Sequence, residues 1–262
     1  MGKSLNKKSV FENKSQKTQS LQFRLYFNKK YQSKDLHKWF ERQVTIKKKF
    51  KILDVGCGTG KQSFYFNKKI KGSGKLYSFD KSIKSITQLK KKIGSRNTKI
   101  FSADMNEIEK IDKKFFEFEK FDLISSVYSI YYAKKPLKLI KFLLSKLDKN
   151  GKLLLLVPIR PNRITEIAEK FYKVPIKVTE SLVIFKRIIN YFSKQKYNIQ
   201  VRYFRSKIRV NNIEDVIKFY KSTTFFKKKY EKTVSDFIRK KYKKKSFVFK
   251  KDSCLIILKN EN

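Results

Sequence analysis

Three glycines and three acids stand at a spacing suited to holding a ligand. The run Asp54-Val55-Gly56-Cys57-Gly58-Thr59-Gly60 joins an apolar stretch to a more polar one with helical character. A strand that turns straight into a helix needs positive φ, which glycine adopts at no steric cost. Glycine also lets backbone come close to a ligand, and a helix start offers unpaired N–H groups to a carboxylate. Three of the chain's eight glycines lie in this loop. Two more acids end later apolar stretches: Asp80 follows Leu76-Tyr77-Ser78-Phe79, and Asp104 follows Ile100-Phe101-Ser102-Ala103.

The glycine pattern alone does not choose a ligand; the residues around it do. A dinucleotide loop in register with Gly56 and Gly58 needs a third glycine where this chain has Lys61. A phosphate-binding P-loop needs Ser or Thr after its Lys, and Lys61 is followed by Gln62. A carboxylate at Asp80 can accept both hydroxyls of a ribose. Asp104 can take an adenine amino group, with Met105 packed on the ring. S-adenosylmethionine (SAM) joins such a nucleoside to a sulfonium and an ammonium cation. A local acidic cradle in a chain with 66 basic and 22 acidic residues suits it.

These residues need strands that end together. Lys51–Val55, Lys75–Asp80, Lys99–Ala103, Phe121–Val127 and Lys152–Val157 read as strands. Between them 60–67, 82–93 and 136–147 read as helices, with Ser82 an N-cap and Pro136 at a first helical position. Asp148–Gly151 reads as a turn, and a further helix follows Ser33. Alternating strands and helices demand a mostly parallel sheet with helices on both faces. The fold class is therefore α/β and Rossmann-like. After Pro158 helices are predicted at 162–173, 181–195, 213–220 and 232–243, with long strands at 197–210 and 247–258.

The segments ILDVGCGTGKQ (52–62), LYSFDKS (76–82), IFSADM (100–105), FDLISSVYSIYY (121–132) and LDKNGKLLLLVP (147–158) resemble the successive signatures of class I SAM-dependent methyltransferases. They are most similar to the branch that methylates small molecules. The resemblance covers about residues 33–160. It implies a seven-stranded sheet with an antiparallel last strand and a small helical insertion. It also implies one domain over 21–262, with its core at 48–160, additions at 21–47 and 160–245, and a basic tail over 1–20. By the same resemblance Gly56, Gly58 and Gly60 contact the methionine end, with Asp54 near its ammonium. Asp80 holds the ribose, Asp104 and Met105 frame the adenine, and Ser126 lies beside the cofactor.

Methyl transfer is an in-line displacement at an activated carbon, so the enzyme mainly aligns the nucleophile and excludes water. A base helps when the acceptor is a hydroxyl. His37 is the single histidine and a candidate base. Relatives carry histidine shortly after the Ser126 region, where this chain has Tyr128, Tyr131 and Tyr132. Tyrosine, with an ordinary pKa of about 10, is a poor base near neutrality; Tyr131 and Tyr132 instead suit orienting or stacking on an acceptor. Ser125-Ser126-Val127-Tyr128 differs from the Asn/Asp-Pro-Pro-Tyr/Phe of exocyclic amine methylases. Neither Cys57 nor Cys254 is placed as a nucleophile for pyrimidine C5. The expected acceptor is a small molecule between the N-terminal helix and the 160–250 insertions. The alternatives are RNA and a non-catalytic basic binding module.

The formal net charge of +44 asks for a polyanion partner or for a composition bias. Lysine dominates arginine, alanine occurs only at 103, 133 and 168, and lysine tracts run along the whole chain. Composition bias is the reading adopted, and nucleic acid stays possible through the charge. Two cysteines without a CxxC or Cys/His cluster exclude a structural zinc site and a disulfide framework, so no metal is expected. No segment approaches the ~18 apolar residues of a membrane span. The N-terminus lacks the apolar core of a secretory signal. A cytoplasmic location is expected.

Overall fold

The computed structural model describes residues 18–94, 96–159, 162–173, 178–195, 197–223, 225–243 and 245–260. The predicted tail lies outside the described residues up to position 17. The strands are β1 Lys51–Val55, β2 Lys75–Asp80, β3 Thr98–Ser102, β4 Phe121–Val127, β5 Leu147–Pro158, β6 Tyr197–Phe204, β7 Lys207–Val210, β8 Phe247–Lys250 and β9 Ser253–Asn260. The helices are α1 Thr18–Tyr31, α2 Leu36–Arg42, α3 Lys61–Ile70, α4 Ile83–Lys92, α5 Ile108–Phe115, α6 Pro136–Ser145, α7 Arg163–Tyr172, α8 Val178–Phe192, α9 Ile213–Ser222 and α10 Glu231–Tyr242. The chain forms two compact units. One comprises Leu36–Ile159, Ser181–Phe204 and Asp252–Asn262; the other comprises Met1–Asp35, Arg160–Glu180 and Arg205–Lys251.

The larger unit is built on a seven-stranded sheet in the order β3-β2-β1-β4-β5-β9-β6. Strands β1 to β5 pair in parallel, and β9 runs antiparallel to both β5 and β6. The sheet is thus Rossmann-like, mostly parallel, with an antiparallel last strand. Central strands buried on both faces are largely apolar along their length, and β5 shows why. Leu153, Leu155 and Val157 pack with Ile124, Phe79, Leu143 and Ile188 on one face. Leu154 and Leu156 pack with Phe40, Phe66 and Ile70 on the other. Local signals place the helices over these faces. Ser82 Oγ accepts from Ser85 N–H at 3.3 Å and caps α4, and Pro136 opens α6. Helix α5, missed by periodicity, turns Ile108 and Ile111 into the core.

The smaller unit has its own core, in which Phe27, Tyr172, Val216, Tyr220, Val234 and Phe247 are all buried. Asn162 caps α7 and Asn212 caps α9, each accepting backbone N–H groups through its side-chain oxygen. Helix α1 begins at Thr18, inside the segment assigned to the tail. Leu21, Phe23, Leu25 and Phe27 alternate like a strand, so the helix is invisible to pattern. Tertiary packing decides it: Phe27 stacks on Phe219 at 4.3 Å between ring centroids.

Two expectations are corrected. The long strands predicted at 197–210 and 247–258 are each broken, at 205–206 and at 251–252. The outer parts, β6 and β9, join the large sheet, while β7 and β8 pair as a separate two-stranded ribbon. Each break has a mark in the sequence that a single long strand overlooks: the apolar positions change phase between Tyr203 and Phe204, and the polar run Lys250–Ser253 interrupts the other stretch. The predicted turn at Asp148–Gly151 is part of β5, where the register against β4 shifts between Phe121 and Leu123. Among the described residues no helix is long and apolar enough to cross a membrane.

Leu155 is fully buried in the middle of β5. Truncating it leaves a cavity that a sheet covered on both faces relaxes into poorly. Leu155→Ala is expected to lower stability by about 3 kcal/mol, measured by urea unfolding followed through the fluorescence of Trp39.

Candidate cofactor site

The parallel register brings the ends of β1 and β2 together. Val55 lies opposite Phe79, and Asp80 follows at the end of β2. The glycine loop then folds over that edge. Gly56, Gly58 and Gly60 all take positive φ, at 69°, 56° and 82°. The N–H groups of Gly56 and Cys57 both donate to Phe79 O, at 2.9 and 3.0 Å. Gly58 N–H donates to Asp80 Oδ2 at 2.9 Å, and Ser82 N–H donates to Asp80 Oδ1 at 2.9 Å. Asp80 therefore joins the glycine loop to the start of α4.

The loop also tolerates no side chain. A Cβ on Gly60 would lie 2.0 Å from Leu89 Cδ1, and one on Gly56 would lie 2.5 Å from Ser129 Cβ. Helix α3 starts after Gly60 with no side-chain cap. Its first turn is thus left to other acceptors, in keeping with an anion-binding helix start.

Asp54 is 1% exposed. Its Oδ2 accepts from Ser63 Oγ at 2.6 Å, and Ser63 Oγ accepts in turn from Ser78 Oγ at 3.1 Å. Beside it in register on β4, Ser125 carries a buried hydroxyl with no hydrogen-bond partner among the described residues. Burial pushes the Asp54 carboxyl up to about 7; the Ser63 hydroxyl opposes this and the charge of Asp80 adds to it. The amino edge of the same sheet is the contrast. There Glu119 is bound by Lys51 and Lys75, both at 2.7 Å, and by Tyr77 OH at 3.0 Å. Those partners outweigh its own burial and hold its carboxyl down at about 2. Among the described residues neither Asp54 nor Asp80 has a lysine or arginine partner of this kind.

The remaining candidates fall into three groups. Asp104 Oδ1 accepts from the N–H and the side-chain amide of Asn106, at 2.9 and 2.7 Å, and so caps the short turn Met105–Glu107. Met105 lies over the glycine loop, with its Cε 3.1 Å from where a Gly56 Cβ would stand. Ser126 is fully buried at the end of β4, its Oγ 2.6 Å from Ser129 Oγ. His37 Nδ1 lies 3.0 Å from Gln62 Nε2 in the first turn of α3. Only the amide nitrogen can donate, so the imidazole accepts at Nδ1. Tyr131 and Tyr132 sit in the turn after β4, with ring centroids 4.6 Å apart and Tyr132 exposed.

Sequence reasoning missed Ser63, Gln62, Asn106 and Ser129. Ser63 was legible as a hydroxyl in the first turn after Gly60. Asn106 was not: its Oδ1 accepts from Lys134 N–H at 2.7 Å and ties the Asp104 turn to the segment after β4, a contact between residues far apart in sequence.

The raised Asp54 value has a consequence for stability. The folded, ligand-free protein holds this proton more tightly than the unfolded chain, whose ordinary value is 3.8. Ionising Asp54 therefore costs stability, from about pH 4 upward until about pH 7, and no more above that. Asp54→Asn removes this slope. Urea midpoints at pH 5, 6 and 7 should show the variant gaining on the wild type as pH rises; parallel curves would refute the buried acid.

A family model described as "Methyltransferase domain" matches residues 46–207. Solved structures share the fold. A methyltransferase candidate from Bacillus halodurans C-125 aligns at 15% identity and TM-score 0.59, covering 87% of this chain and 99% of its own. The YcgJ protein of Bacillus subtilis aligns at 15% identity and TM-score 0.58, covering 86% and 98%. Precorrin-6y C5,15-methyltransferase from Geobacter metallireducens GS-15 aligns at 11% identity and TM-score 0.52, covering 86% and 88%. No curated protein matches the chain in sequence. With the matched domain spanning the strand ends, the glycine loop and its acids, this chain belongs to the class I SAM-dependent methyltransferases.

Proposed function

We propose that this methyltransferase holds SAM across the carboxyl ends of β1, β2 and β3 and transfers its methyl group to a small molecule. The observation that carries the cofactor placement is the contrast between the two edges of the sheet. Glu119 at the amino edge is neutralised by lysines, while among the described residues Asp54 and Asp80 at the carboxyl edge are not. In this reading Gly56, Gly58 and Gly60 lie against the methionine end, with Asp54 near its ammonium. Asp80 accepts the ribose hydroxyls, its oxygens already aimed by Gly58 and Ser82. Asp104 and Met105 frame the adenine, and Ser126 lies behind the loop.

When bound, the cofactor supplies a methyl on a sulfonium that an acceptor's lone pair displaces in line. The chain's part is to orient and to keep water out. His37, held by Gln62, is the candidate base. Tyr131 and Tyr132 are candidates for packing on the acceptor.

The distribution of charge supports a small acceptor over nucleic acid. The larger unit holds 35 basic and 13 acidic residues, the smaller 31 and 9. A large formal excess falls in both, denser in the smaller unit, so the charge is not confined to one part of the chain. A dedicated nucleic-acid reader concentrates charge on one face.

Asp80→Ala should weaken SAM binding by about tenfold or more, the size of a lost charge-assisted pair, in calorimetry at pH 8. Unchanged affinity would remove Asp80 from the site. For the acceptor, methyl-labelled SAM is offered at near-physiological salt to purified RNA and, separately, to a small-metabolite extract. Label is expected in the metabolites; label in RNA alone would overturn the small-molecule reading.

A further inference from the structure

Tyr128 stands at φ +54° immediately after β4. Left-handed backbone is a steric outlier for an aromatic residue, and such strain persists only where the surroundings over-determine it. Here they do. The Tyr128 N–H donates to Leu156 O at 2.8 Å, continuing the ladder into β5. Its phenol hydroxyl pairs with Ser253 Oγ at the start of β9. The side chain is thereby pinned to one strand and the backbone to another.

The left-handed residue turns the next one back toward the sheet. Ser129 Oγ donates to Val55 O at 2.7 Å, with Ser126 Oγ 2.6 Å away on its other side. Val55 O belongs to the peptide that opens the glycine loop. The N–H of that same peptide, on Gly56, donates to Phe79 O at 2.9 Å. One peptide is thus held from both sides, by β2 and by Ser129. Ser129 also occupies the space that Gly56 leaves open, since a Cβ there would meet its Cβ at 2.5 Å.

We propose that Ser129 is a positioning residue for methyl transfer: aimed by left-handed Tyr128, it fixes the Val55–Gly56 peptide at the height where the loop receives the methionine end of SAM. This rests on the reading that the loop holds that end of the cofactor. Ser129 acts through backbone, so its effect is confined to the part of the ligand that the loop touches. 5′-Methylthioadenosine carries the adenosine and the sulfur but lacks the aminobutyrate arm. It should therefore be indifferent to Ser129.

The test is calorimetric binding of SAM and of 5′-methylthioadenosine to the full chain and to variants. Ser129→Ala is expected to weaken SAM by about tenfold and to leave 5′-methylthioadenosine within about twofold, the scale of one well-placed hydrogen bond. Tyr128→Phe keeps the ring and loses the Ser253 contact; it should show the same selective loss, smaller in size. Equal loss of both ligands in these variants would make Ser129 merely structural and overturn the proposal, as would unchanged SAM affinity. Asp80→Ala separates the two readings. If it leaves SAM binding intact, the cofactor placement itself falls. If it weakens both ligands while Ser129→Ala weakens neither, only the positioning role falls.

Discussion

The chain leaves β1 and enters α3 through five residues, and most of what surrounds the site depends on how that turn is closed. Three residues of the loop are at positive φ, which costs an ordinary residue about 1–2 kcal/mol each. Glycine removes that cost and leaves gaps that neighbours fill. Leu89 of α4 fills the one at Gly60, and Ser129 fills the one at Gly56. Phe79 O and the Asp80 carboxylate take the loop's N–H groups from β2. The loop is therefore a junction of β1, β2, α3, α4 and the segment after β4. A side chain at either glycine must displace packed neighbours as well as strain the backbone.

Electrostatics separates the two edges of the same sheet. Charges taken out of water must be paired or give up their charge. At the amino edge Glu119 is paired with two lysines and a tyrosine and stays strongly acidic. At the carboxyl edge Asp54 has, among the described residues, hydroxyl and backbone donors and is pushed toward neutrality. Lysine is abundant enough to have neutralised it. A buried carboxylate left without a cation costs stability, and binding of a cationic ligand offsets that cost. The net charge of +44 is a poor guide to function beside this local arrangement, because it is spread over both units while the acids are gathered at one place.

The second half of the chain follows different rules from the first. Up to Pro158 the strands are largely apolar blocks, and α4 and α6 carry start signals in Ser82 and Pro136. Beyond it, Tyr197–Val210 and Phe247–Leu258 each contribute to two structures, a sheet strand and a ribbon strand. The ribbon joins the core of α1, α7, α9 and α10 around Phe27 and Tyr220. That core gathers residues from widely separated stretches of sequence, which no local window contains.

The sequence by itself determined the order of β1 to β5 with α3, α4 and α6 between them, the glycine loop and the acids at strand ends. Each of these is written in consecutive residues: an apolar block sets a buried strand, a serine or proline starts a helix, and glycine permits a turn that other residues resist. Tertiary structure alone decided the helix at Thr18–Tyr31, the sheet that each half of the two broken strands joins, and the aim of Asn106 and Ser129. A change of phase or a polar run marks a break but not the partner strand on either side of it, and the alternating apolar residues of α1 pack as a helix against a core that includes Phe219. Ser129 reaches Val55 because Tyr128 is held left-handed from β5 and β9. That conformation depends on partners about 30 and 125 residues away, so no reading of neighbours along the chain contains it.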